Sequence, residues 1–201
     1  MSEATMLTTQ LPTELHERFV DASTDAGVDP DDLLTELVRD HVEMHESIAA
    51  YADRDREGPG ALAEHGPGHV MEVPPPVGRL VGFEMVDIGD GSSQITFEPG
   101  SEHANPMGTL HGGILCDVGD AAMGTAVAST LSPGESFTTL ELDTKYLKPV
   151  WDGHLTARGE VVKRNRRTAL ADCRITDAED SLVAKLESVC LVLRGEDVEG
   201  R

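Results

Sequence analysis

The sequence predicts an α+β protein in which an antiparallel sheet wraps around one central helix, with a small helical appendage in front. Three features of the 201 residues point there. A single helical segment, residues 112–131, is inserted in a long run of strand-like segments. Those segments are bounded by turn residues, as antiparallel strands are. The helix is also built largely from small residues: Gly119, Gly124, Ala121, Ala122, Ala126 and Ala128. Each internal glycine costs roughly 1 kcal/mol relative to alanine. Such a helix gains stability from the close approach of another backbone, which a curled sheet provides.

Residues 1–48 read as a short extended piece followed by two helices. Pro12 suits the first turn of a helix with apolar positions at Leu15, Phe19, Ala22 and Ala26, and Gly27 stops it. Asp29 is a good N-cap and Pro30 a good first residue, while Asp31 and Asp32 complement the positive helix end. The second helix carries Leu33, Leu34, Leu37, Val38, His41, Met44, His45 and Ile48 on one stripe. Residues 49–76 form a linker of charge runs and Gly/Pro punctuation, with a weak helical tendency near Ala61. The main domain covers residues 77–195. Segments 80–88 and 94–97 flank a turn at Gly89-Asp90-Gly91-Ser92, and a loop over 98–110 leads into the central helix. Strands then follow at 137–147, 154–163, 169–176 and 182–193, and residues 196–201 form an acidic tail.

Charge is the unusual bulk property. Sixteen basic against 37 acidic residues give a net charge of −21, and aromatics are only 3%. An acidic, lysine-poor coat of this kind resembles cytosolic proteins of salt-accumulating organisms, in which counterions screen self-repulsion. It repels nucleic acid and anionic membranes, so an anionic ligand needs a local basic patch. One dense basic cluster exists, Lys163-Arg164-Asn165-Arg166-Arg167, at a turn between strands. The start lacks a secretory pattern and no run is long enough to span a bilayer. Cys116, Cys173 and Cys190 are odd in number and lack metal-ligand spacing, so no metal site is expected. A reduced cytoplasm is the expected location.

The chemistry concentrates in Asn105-Pro106-Met107-Gly108-Thr109-Leu110-His111-Gly112-Gly113-Ile114, followed by Asp120 on the helix. His111-Gly112-Gly113 lies where a loop enters a helix, so unpaired N–H groups and the helix dipole favour developing negative charge there. Glycine lets a carbonyl approach the main chain. Asp120 falls near the helix middle, where a carboxylate among small neighbours is costly unless paired or used. The quieter alternatives are a plain helix-entry turn and a structural carboxylate. Cys116 reads as a small apolar filler, and His103 as a solvated loop histidine.

This segment resembles the hotdog-fold acyl-CoA thioesterases of the phenylacetic-acid-degradation (PaaI-like) type. Their pattern is an Asn, five residues, His-Gly-Gly, and an acidic residue nine positions past the histidine. Asn105, His111 and Asp120 fit it, and the later strand with Thr138-Thr139 and Tyr146-Leu147-Lys148-Pro149 is similar too. The resemblance implies hydrolysis of an acyl-CoA thioester, with CoA as part of the substrate and no separate cofactor. It implies the Gly112 N–H as oxyanion donor, with Asp120 activating water or attacking the carbonyl itself. Asn105 would position the water, His111 would orient the loop, and Thr139 would supply a hydroxyl. Gly113 and Met107 would line the acyl site. Arg164, Arg166 and Arg167 suit CoA phosphates, the bland reading being a solvated turn. It further implies a homodimer or tetramer with the active site between subunits.

The N-terminal segment is similar to a ribbon-helix-helix module, through a short polar strand over residues 5–11, Leu11-Pro12, and Gly27-Val28-Asp29-Pro30 between helices. The strand has no Lys or Arg, and Arg18 is the one basic residue among the first 38. Since phosphate neutralisation dominates DNA affinity, nucleic acid is not the expected partner, and a dimerisation element is. The alternative function is an acyl-CoA-sensing regulator with an N-terminal DNA-binding module. Asn105 and Asp120 favour catalysis, since a sensor has no use for them. A dehydratase is a third class, disfavoured because its motifs pair the histidine differently.

Overall fold

The computed structural model describes residues 10–52 and 75–198, and the chain parts into two compact units between Glu46 and Ser47. Both expected N-terminal helices form: α1 is Thr13–Ala26 and α2 is Pro30–Ala52. Gly27 ends α1 in the left-handed region at φ 72°, a conformation glycine adopts without a Cβ penalty. The Asp29 carboxylate accepts the Asp31 N–H at 2.9 Å, the expected cap. Helix α2 continues past residue 48 into the stretch read as linker. Of the ribbon strand expected over residues 5–11, Gln10 and Leu11 are described and are not in a strand, while residues 5–9, the linker over 53–74 with its weak helix, and residues 199–201 of the tail lie outside the described residues.

The second unit is the α+β hotdog fold. In order it contains α3 (Pro76–Val81), β1 (Phe83–Gly89), β2 (Ser92–Phe97), a 3-10 turn (Ser101–His103), α4 (Gly112–Ala128), β3 (Glu135–Tyr146), β4 (Leu155–Arg164), β5 (Thr168–Thr176) and β6 (Leu182–Arg194). A last 3-10 turn, Gly195–Val198, tucks Val198 under the sheet end, so the start of the acidic tail is ordered and partly buried. The six strands form one antiparallel sheet in the order β1-β2-β4-β5-β6-β3. Strand β3 follows the helix in sequence yet lies at the far edge, where among the described residues β6 is its one ladder partner and its other side is free.

Two expectations need correction. Residues 80–82 are not strand: Pro76 starts a short helix at its favoured first position, and Gly82, at φ 81°, ends it before β1. Helix α4 stops at Ala128 rather than 131. There the Ser129 and Thr130 hydroxyls turn back onto the Ala126 and Val127 carbonyls, offering those groups partners other than a further helical turn.

Side chains from one face of the sheet pack on α4. Ile95, Phe97, Leu155, Ile175 and Leu186 meet Val118, Met123 and Val127, all fully buried. The expected close backbone approach is present, but the glycine that permits it is on the sheet. At Gly159 of β4 a Cβ would lie 2.6 Å from the Ala122 carbonyl carbon and oxygen. Beside it the Ser93 hydroxyl donates to the same Ala122 oxygen at 2.6 Å. The helix glycines make room for side chains instead: Gly119 for Leu186 and Gly124 for the Phe137 ring.

Candidate active site

Residues Gly112, Cys116, Asp120 and Gly124 recur every fourth position and therefore line one face of α4. Strand β3 runs antiparallel along that face. Phe137 packs at Gly124, Thr139 bonds Asp120, Thr144 reaches Cys116, and Tyr146 lies on Gly112. Thr139 and Thr144 are an odd number of residues apart and would face opposite sides of a regular strand. A bulge between Thr139 and Glu141 absorbs Leu140, restoring the helix-facing register for the second half. This one irregularity lets a single strand contact the helix from Asp120 to its first residue.

At the carboxylate, the Thr139 hydroxyl donates to Asp120 Oδ1 at 3.2 Å. Burial among small apolar neighbours pushes the Asp120 pKa above the ordinary carboxylate range; the Thr139 hydrogen bond opposes that shift and the Asp117 charge adds to it. A half-buried carboxylate with one hydroxyl partner and a raised pKa is a stronger base than a solvated one and can accept a proton. Asp117, one turn from the helix start, is exposed.

At the helix start, His111 is the N-cap and its Nδ1 accepts the Gly113 N–H at 3.0 Å. The Gly113 amide is thereby occupied. The Gly112 amide has no acceptor among the described residues and sits at the positive end of α4. Asn105 shapes the loop in front: its Oδ1 accepts the Met107 N–H at 2.8 Å and the Thr109 N–H at 3.3 Å, and its Nδ2 donates to the Thr109 hydroxyl at 2.8 Å. One amide hydrogen of Asn105 remains free of these bonds. Met107 is at the loop tip, 81% exposed.

His103 is not solvated. Its Nδ1 accepts the Gly100 N–H at 2.9 Å, its ring packs edge-on against Phe97, and its carbonyl accepts the His111 N–H at 2.9 Å. It anchors the loop that delivers His111. Cys116 is not an apolar filler either, since its sulfur lies 3.1 Å from the Tyr146 hydroxyl and 3.4 Å from that of Thr144. Tyr146, Thr144 and Cys116 are the residues sequence reasoning missed. Their signal is the four-residue repeat from Gly112, which becomes readable only when the bulge is known.

The basic cluster divides. Arg164 turns to Glu135, with Nη2 3.2 Å from its carboxylate, and Arg194 joins the same carboxylate. Burial opposes ionisation of Glu135, but the Ser132 N–H and the two arginines together hold its pKa below the usual range. Arg166 and Arg167 are exposed on the β4–β5 turn. Among the described residues no group of His, Cys, Asp and Glu is arranged to hold a metal ion, and no helix is long and apolar enough to cross a membrane.

A sheet-wrapped helix with a free amide at its start and a half-buried carboxylate two turns on is the hotdog fold with a candidate hydrolytic site on its helix. The family comparison agrees: the thioesterase superfamily model matches residues 107–184. The matched residues all lie in the C-terminal unit, from the loop before α4 to β6. Among solved structures it is similar to the PaaI protein of E. coli from the phenylacetic acid degradation operon, at 22% identity and TM-score 0.60, covering 66% of this chain and 94% of that one. A phenylacetic acid degradation-related protein from Ralstonia eutropha is similar at 26% identity and TM-score 0.55, covering 58% of this chain and 89% of that one. Among curated relatives, the 1,4-dihydroxy-2-naphthoyl-CoA hydrolase of Listeria monocytogenes is 26% identical over 105 residues, 52% of this chain and 85% of that protein.

Proposed function

We propose that this chain hydrolyses an acyl-CoA thioester to the free acid and CoA, with the Gly112 amide binding the oxyanion and Asp120 as the catalytic carboxylate. The carrying observation is Asp120 itself: half-buried, held by the Thr139 hydroxyl, and raised in pKa. The thioester carbonyl oxygen accepts from the Gly112 N–H at the helix's positive end, and negative charge develops there as the carbonyl carbon is attacked. One such donor typically contributes about 3 kcal/mol to the transition state. Asp120 takes the proton of the attacking water, Asn105 positioning that water, or attacks directly; the thiolate of CoA leaves. Exposed Arg166 and Arg167 offer guanidinium forks to CoA phosphates, while Arg164 is engaged by Glu135. The CoA ester in the name of the Listeria relative fits this substrate class.

The two catalytic groups come from different copies of the chain. Asp120 lies eight residues beyond Gly112 on α4 (120 − 112), which at 1.5 Å per residue separates them by about 12 Å. No single carbonyl group reaches both. Strand β3, against which both lie, is an edge strand of 12 residues whose outer ladder side is unpaired among the described residues, with exposed Leu140 and Leu142. An unpaired edge of that length is a pairing surface for a second copy.

Two measurements test this. Thiol release is followed with short, long and aromatic acyl-CoAs at low and high KCl, for the full chain and for Asp120→Ala. Hydrolysis of at least one ester, abolished by the substitution, is expected; no turnover across the panel refutes the reading. Next, Asp120→Ala is mixed with Gly112→Pro, which lacks the amide hydrogen. Mixed oligomers of two inactive chains regain activity if the site is shared, and stay inactive if each chain carries its own.

A further inference from the structure

An oxyanion bound by the Gly112 amide requires that amide to be held in place. Gly112 is the first residue of α4, preceded by a loop, and glycine resists fixed backbone angles more than any other residue. An oxyanion donor contributes fully only when it is held in place before the charge develops. His111 does not hold this amide, because its ring accepts from Gly113.

We infer that Tyr146, itself held by Cys116 and Thr144, is the positioning residue that fixes Gly112 for oxyanion binding; this role rests on the hydrolase reading above. The Tyr146 hydroxyl donates to the Gly112 carbonyl at 3.1 Å, and its ring lies directly over the glycine. A Cβ built on Gly112 would come within 2.9 Å of the ring. The fit is reciprocal: the ring requires glycine at 112, and glycine requires the ring to limit its freedom. With the single phenol proton committed to the Gly112 carbonyl, the Cys116 thiol at 3.1 Å must donate to the phenol oxygen. The Thr144 hydroxyl, at 3.4 Å from the same sulfur, completes a chain of three hydrogen bonds directed at the helix start. Tyr146 reaches Gly112 because the bulge at Leu140 turns the second half of β3 toward the helix.

The test uses the full chain and the best ester from the panel. Tyr146→Phe keeps the ring and removes the donor; kcat is expected to fall about tenfold with KM within twofold. A merely structural or substrate-contacting role would instead lower the melting temperature or raise KM. Cys116→Ser, which can still donate, is expected to recover most of the activity that Cys116→Val loses. In a double-mutant cycle, Gly112→Ala is expected to cost at least tenfold less in kcat on a Tyr146→Ala background than in the wild type, because the obstructing ring is gone. Should Tyr146→Ala not fold, Tyr146→Phe decides alone. A kcat for Tyr146→Phe equal to wild type, or an additive cycle, overturns this role while leaving hydrolysis standing. A wild-type chain that hydrolyses no ester overturns both.

Discussion

Replacing Gly159 by alanine places a methyl group 2.6 Å from the carbonyl carbon and oxygen of Ala122 and 2.9 Å from the Met123 nitrogen. Ordinary carbon contacts are about 3.5 Å or longer, so the sheet and helix must separate by nearly 1 Å. Neither partner is a rotatable side chain; both are main chain, one in a β-ladder and one in a helix. The cost therefore falls at the upper end for overpacking, about 3 kcal/mol. In a domain of this size that is a loss of roughly 10 °C in melting temperature. Gly119→Ala is the control. Its Cβ would meet Leu186 Cδ2 at 2.5 Å, but that is the far end of a side chain that can turn. It also gains about 1 kcal/mol of helix propensity, so its net loss should be much smaller. Ala122 follows Asp120 by two residues, and the shift needed is enough to break the 3.2 Å bond from Thr139. Activity of Gly159→Ala should fall even well below its melting point. Scanning calorimetry of both variants at one fixed KCl concentration, with thiol release on the same samples, measures these effects. A Gly159→Ala protein that melts within 2 °C of wild type would show that the helix is not clamped by backbone contact.

Asp120→Asn should lower kcat by about 10³-fold and raise the melting temperature at pH 7. The folded-state pKa is raised, so Asp120's contribution to stability is present below the unfolded value near 4 and lost as pH rises through the folded value. The gain from asparagine should vanish in acid, and a variant no more stable than wild type at pH 7 contradicts the burial argument. For the same reason the acid limb of wild-type kcat/KM should lie above the ordinary carboxylate range; a limb near pH 4 would assign it to another group. Joint replacement of Arg166 and Arg167 by alanine should raise KM about three- to tenfold with kcat kept, whereas Arg164→Ala should chiefly destabilise by freeing Glu135. An unchanged KM removes the turn from CoA binding. With a net charge of −21, melting temperature should rise by several degrees between 0.1 and 1 M KCl, as the screening length falls from about 10 to about 3 Å. A fall would mean that ion pairs outweigh self-repulsion.

Spacing in the sequence was enough to locate the helix start, the glycine turn, Asp120 and most strands, because helix and strand periods and turn residues are local properties. The four-residue interval from Gly112 to Cys116 to Asp120 was equally present, yet it carried no meaning by itself. Its partners, Tyr146, Thr144 and Thr139, are 34, 28 and 19 residues away in sequence. Their facing depends on a bulge that changes the parity of β3, and no local pattern around Leu140 announces it. His103 likewise read as solvated because its burial comes from Phe97 and Gly100 folding over it.

The candidate chemistry was therefore written in residue types and intervals: an amide at a helix start, a carboxylate two turns on, arginines on a turn. What surrounds those groups was decided by the tertiary structure. Only the sheet order leaves β3 with a free edge, diverts Arg164 to Glu135, and brings Gly159 against Ala122. The reason is physical. A single residue's preferences act over one turn or one strand, whereas burial, pKa and register arise from contacts between segments that are distant along the chain.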